Sequence, residues 1–84
     1  MKGRILTKET ITAFINHLHL EEKSANTIEK YARDVKTFAT FLNGKAACKE
    51  LVIEYKQKLI ADGYAVSSIN SMIAAVNSLF DYLG

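Results

Sequence analysis

The stretch 24-SANTIEKYARDVKTFATFL-42 decides the fold. Ile28, Tyr31, Ala32, Val35, Phe38, Ala39 and Leu42 recur at steps of three and four. That spacing gathers them on one side of a helix of about 3.6 residues per turn. Ser24 is placed to cap the start, where its hydroxyl can accept an N–H that the first turn leaves unpaired. Gly44 lies just beyond the last apolar position and can take the left-handed backbone that ends a helix. Asn26, Lys30, Arg33, Thr37 and Thr40 follow the same period on the other side and form a polar, net-basic stripe. One face can therefore anchor the helix in a core while the other meets something anionic.

Working outward, Thr7 can cap a first helix running to about Leu20, with Glu9 in its first turn and Ile11, Phe14, Ile15 and Leu18 as its apolar stripe. Before it lies a short basic lead, MKGRIL, expected to be loosely ordered apart from Ile5 and Leu6. His17 and His19 stand two apart and point in different directions, so they are read as solvent or helix-end residues, not as ligands of one metal. A third helix is expected from Ala47 to Asp62, with Leu51, Val52, Tyr55, Leu59 and Ile60 turned inward and Gly63 as its stop. Its mixed Lys and Glu face reads as ordinary solvated surface. Cys48 reads as a small buried hydrophobe near its start.

The fourth helix, with Ser67 or Ser68 as the expected cap, repeats the pattern of the second through Ile69, Met72, Ile73, Val76, Leu79, Phe80 and Leu83. Its opposite face carries Asn70, Ser71, Ala74, Asn77 and Ser78, with no Lys or Glu between Asp62 and Asp81. Small hydrogen-bonding side chains let a phosphate or another backbone come close. Four such helices joined by short links predict an all-α fold, a compact four-helix bundle.

Composition sets the outer limits. Eighty-four residues make one domain near the lower size at which a core is stable without disulfides or metal. The single cysteine excludes an internal disulfide, and no apolar run is long enough to span a bilayer, so the cytoplasm is the default compartment. A formal charge of +2 is small, so any basic surface must come from arrangement. No catalytic constellation, phosphate loop or metal-ligand spacing is visible, and no cofactor is expected. Phosphate contacts need cations, hydroxyl or amide donors, and helix N-termini. The starts of the second and fourth helices offer such groups: Ser24, Asn26 and Thr27 in one, Ser67, Ser68, Asn70 and Ser71 in the other, with Lys30 and Arg33 further along the first.

At this point the chain resembles a known family. Ser24, Thr27, Tyr31, Asp34 and Phe38 match the Ser/Thr-x-x-Thr-x-x-x-Tyr-x-x-Asp-x-x-x-Phe pattern of phage integrases and Xer-type tyrosine recombinases. The tail 65-AVSSINSMIAAVNSLFDYLG-84 is similar to the last helix of their N-terminal SAM-like, or core-binding, domain. The resemblance covers about residues 7 to 84. It implies that the helical domain and a larger catalytic domain form a C-shaped clamp around duplex DNA at a core recombination site. By position, the implied DNA-facing groups are Asn26, Thr27, Lys30 and Arg33 on the second helix and Ser67, Ser68, Asn70 and Ser71 on the fourth. The third helix, with Lys56 and Lys58, is placed away from the groove. The family's catalytic Arg, Lys, His and Arg residues and nucleophilic Tyr belong to the other half; Tyr82 closes the last helix and is not that nucleophile.

The chain is thus expected to be one core-binding domain over residues 1–84, not itself an enzyme. Its expected partners are double-stranded DNA, a catalytic domain of the same polypeptide and other recombinase protomers, with no membrane. The separate arm-site-binding domain of some integrases is expected to be absent. The rival reading is a helical protein–protein interaction domain whose small-residue face on the fourth helix packs against a partner. A narrower rival concerns Lys30, which could simply pair with Asp34 one turn on.

Overall fold

A computed structural model describes residues 5–84; the basic lead Met1-Lys2-Gly3-Arg4 lies outside the described residues. Four helices follow one another: α1 (Lys8–Leu20), α2 (Ala25–Leu42), α3 (Lys49–Ala61) and α4 (Val66–Leu83). No β-strand occurs among the described residues, and none of the helices is long and apolar enough to cross a membrane.

The ends of the helices follow from local chemistry. Thr7 and Ser24 cap α1 and α2 as expected, each side-chain oxygen accepting the backbone N–H three residues on. At the end of α3, Gly63 donates to the Ile60 carbonyl and Tyr64 to the Leu59 carbonyl, with Gly63 at φ 87°. This left-handed termination favours glycine because no Cβ is present to clash. The end of α2 differs from expectation by one residue. Asn43 is already left-handed at φ 49°, ahead of Gly44 at φ 87°, since asparagine is among the few other residues that tolerate this region.

The start of α4 corrects the expected cap. Neither Ser67 nor Ser68 caps it; Ala65 occupies that position and makes no side-chain hydrogen bond. After the tight turn of Asp62 and Gly63 that ends α3, only Tyr64 and Ala65 precede α4, so α4 begins earlier than expected and both serines fall within its first turn. Their hydroxyls remain exposed there.

The core forms two clusters that share α2 and α4. One joins Ile11, Phe14 and Leu18 of α1 to Ile28, Val35, Ala75 and Leu79. The other joins Phe38, Leu42, Ile69 and Val76 to Ala47 before α3 and to Tyr55 and Leu59 within it. Phe38 connects three helices, its ring facing Tyr55 at 5.0 Å and Phe80 at 6.2 Å between centroids. The helices α2 and α4 pack most extensively on one another, while α1 and α3 flank them.

Because α3 is a flank, its buried stripe is narrow. Ile60 was expected inside and is 58% exposed, since Tyr55 and Leu59 already fill the contact and Ile60 lies about 100° further round the helix. Cys48 is half-buried at the N-cap of α3, less enclosed than expected.

Candidate nucleic-acid interface

The pairing of α2 with α4 brings the two polar stripes together. A cleft of about 320 Å³ is lined by Lys30, Arg33, Asp34 and Thr37 from α2 and by Ser68, Ser71 and Met72 from α4, with Tyr64 at one side. Four of the residues picked out from the sequence therefore meet in one place: Lys30, Arg33, Ser68 and Ser71. Asn26 joins Lys30, Arg33 and Glu29 around an adjoining recess of about 250 Å³. The remaining candidates do not line these hollows. Ser24 and Thr27 face each other at the start of α2, with 2.8 Å between their hydroxyl oxygens. Ser67 and Asn70 are exposed on α4.

The two cations differ in how they are held. Arg33 has a side chain that is 73% exposed, with Nε 3.7 Å from Oδ1 of Asp34. The Lys30 ammonium is turned inward, donating to Oδ2 of Asp34 at 2.5 Å and to the carbonyl oxygen of Ser71 at 3.3 Å. It also lies 5.6 Å from the centre of the Tyr31 ring. The expected Lys30–Asp34 contact is thus present, and it extends across to the neighbouring helix. Thr37 and Thr40 spend their hydroxyl protons on the carbonyls of Arg33 and Lys36 one turn earlier, leaving oxygen lone pairs outward.

Asp34 is the one charged residue that is buried among the described residues, at 4% exposure for the whole residue. Its burial was not visible in the helical period, where it falls between the apolar Val35 and the basic Arg33. A carboxylate at the edge of an apolar stripe, one turn from a lysine, was the available signal. Tyr64 was missed because it lies in the short connection between α3 and α4, which periodicity does not describe.

The small-residue face of α4 is not covered by another helix among the described residues. Asn70, Ala74 and Asn77 are exposed, while Ser71 and Ser78 are half-buried. No group of three or more His, Cys, Asp or Glu residues that could hold a metal ion occurs among the described residues.

Comparisons with known proteins agree with this architecture. Residues 11–84 match the model of the phage integrase, N-terminal SAM-like domain family. The chain is 31% identical over 84 residues to tyrosine recombinase XerA of Pyrococcus furiosus, an alignment covering all of this chain and 29% of that protein. It is 33% identical over 86 residues to XerA of Pyrococcus horikoshii, covering all of this chain and 30% of the relative. Tyrosine recombinase XerC of Roseiflexus castenholzii is 34% identical over 82 residues, covering 89% of this chain and 26% of the relative. The chain thus spans less than a third of the length of these curated relatives. No solved structure gives a significant match. With the helical order and the match over residues 11–84 in agreement, the chain belongs to the N-terminal SAM-like domain family of phage integrases.

Proposed function

We propose that this chain is the DNA-binding module of a site-specific tyrosine recombinase, holding duplex DNA at the core recombination site across the α2/α4 cleft. The observation that carries this reading is the convergence of Arg33 with Ser68 and Ser71 from two helices on one open cleft. An exposed guanidinium beside hydroxyl donors suits a phosphate oxygen, and the first turn of α4 adds N–H groups and the positive end of its dipole. The catalytic step is assigned to another domain of the same polypeptide, which closes the clamp with this one, and synapsis to other recombinase protomers. This domain, residues 1–84, then supplies position and not chemistry.

With few cations in the cleft, the chain by itself should bind DNA weakly and with little sequence choice. Titration with a DNA duplex, followed by NMR and repeated over a range of salt, tests the reading. Shifts should cluster at Asn26–Arg33 and Ser67–Ser71, and Arg33→Ala should flatten the salt dependence by roughly 0.9 units of log–log slope. Lys56→Ala with Lys58→Ala removes two cations from α3 and should do much less. Shifts spread evenly over surface lysines, with both variants equally impaired, would leave only nonspecific attraction. Salt-insensitive binding to a protein partner through Asn70, Ala74 and Asn77 would instead favour the interaction-domain reading, for which the open face of α4 is the supporting observation.

A further inference from the structure

The buried carboxylate of α2 has no role in a simple picture of cations meeting phosphates. Placed in a DNA-facing cleft, Asp34 should repel the backbone it faces, yet it is enclosed between the two cations. One of its oxygens takes the Lys30 ammonium and the other faces the Arg33 guanidinium. Through Lys30 the contact continues to the Ser71 carbonyl, 41 residues away in sequence and on the other wall of the cleft. The remaining ties between α2 and α4 are apolar packing, which resists separation but directs little.

We propose that Asp34 is a positioning residue: it holds Lys30 across the cleft onto the Ser71 carbonyl and steadies Arg33, and so sets the spacing at which α2 and α4 present their donors to DNA. Lys30 then acts as a tie between helices, and Arg33 is the cation that releases counterions. This inference rests on the DNA-binding reading, and it makes an unusual demand on sign. By electrostatics alone, removing a negative charge from the cleft strengthens DNA binding. Loss of a positioning carboxylate weakens it.

The test uses the full 84-residue chain and a DNA duplex, at a temperature where circular dichroism shows each variant folded. Asp34→Asn should weaken binding about three- to tenfold, the range expected when a coupled but non-contacting residue is lost. In the protein without DNA, amide exchange at Ser68–Met72 should quicken while α1 keeps its protection. Binding that is unchanged or tighter overturns the positioning role, because a merely structural carboxylate would give the electrostatic gain. If Asp34→Asn does not fold, Lys30→Gln is combined with Arg33→Ala. Losses smaller together than their sum support one unit, whereas additive losses make Lys30 an independent phosphate contact and overturn the proposal. A parent chain that binds no duplex, or binds it regardless of Arg33, breaks the DNA reading instead. The tie is then judged on exchange alone, and unaltered protection at Ser68–Met72 overturns it.

Discussion

Two lysine–aspartate pairs in this chain have the same spacing and different surroundings. Lys30–Asp34 on α2 and Lys58–Asp62 at the end of α3 are each one helical turn apart, with closest N–O distances of 2.5 and 2.6 Å. The side chains of the first pair are 34% and 5% exposed, those of the second 52% and 45%. Helix α2 is central and α4 closes over its polar edge, whereas the far side of α3 faces water. Lys30 therefore acquires a second partner in Ser71, while Lys58 bonds only Asp62 among the described residues. Spacing along a helix makes the contact, and depth decides what the contact is worth.

The strongest way to break the comparison is to remove the floor beneath it. Phe38 is fully buried where α2, α3 and α4 meet. Phe38→Ala should cost about 3–5 kcal/mol, a large part of the stability of so small a domain. Chemical denaturation followed by circular dichroism checks it, and an unchanged midpoint would show that Phe38 does not support the core. Next in size is the buried carboxylate. Asp34→Asn keeps the shape but leaves the Lys30 ammonium without its counter-charge, and should cost about 1.5–3 kcal/mol in the same assay. A cost near zero would make the two pairs equivalent despite their burial.

An alkaline titration sharpens the same contrast. Burial pushes the Tyr55 phenol up to about 12 from its ordinary 10.0, and the charge of Asp34 adds to the shift. Its hydroxyl has no hydrogen-bond partner among the described residues. The folded chain therefore keeps this proton more tightly than the unfolded chain does. Stability from this group is complete below pH 10 and should fall by about 1.4 kcal/mol per unit as the pH rises toward 12. Tyr55→Phe should remove that decline at little cost at neutral pH, and Asp34→Asn should soften it. A decline of the same steepness in Tyr55→Phe would assign it to other groups.

Most of the fold was legible because apolar period and capping chemistry act locally. The α2 stripe, the Ser24 and Thr7 caps and the Gly63 stop all follow from residues within one or two turns. What was not legible depends on which helix lies against which. Ile60 fits an apolar stripe as well as Leu59 does, and only the narrow seat of α3 leaves it in water. Ser67 and Ser68 are good caps in isolation, but the compact ending of α3 starts α4 before them. Of the candidate cleft, Lys30, Arg33, Ser68 and Ser71 were picked out from the sequence, and only the α2/α4 pairing puts them side by side. It offered no measure of the depth of Asp34, because a helical period gives direction and not cover.

The smallest expected effect belongs to the outer pair, and it is the control that gives the others meaning. Asp62 beside Lys58 holds the lysine pKa up, first through their hydrogen bond and then through charge, so the contact favours the protonated amine. Any stability it lends is present below the ordinary lysine pKa and is lost as the pH rises through the raised value. At neutral pH it is therefore fully in place, yet both side chains are half in water, where screening and lost rotamer freedom offset most of the attraction. Asp62→Asn should shift the thermal midpoint by less than about 2 °C, and raising the salt to about 1 M should shrink that difference further. Asp34→Asn under the same conditions should keep most of its larger shift, since the surrounding helices exclude the ions that would screen it. If the two variants converge in high salt, the burial of Asp34 would not be what distinguishes the inner pair from the outer one.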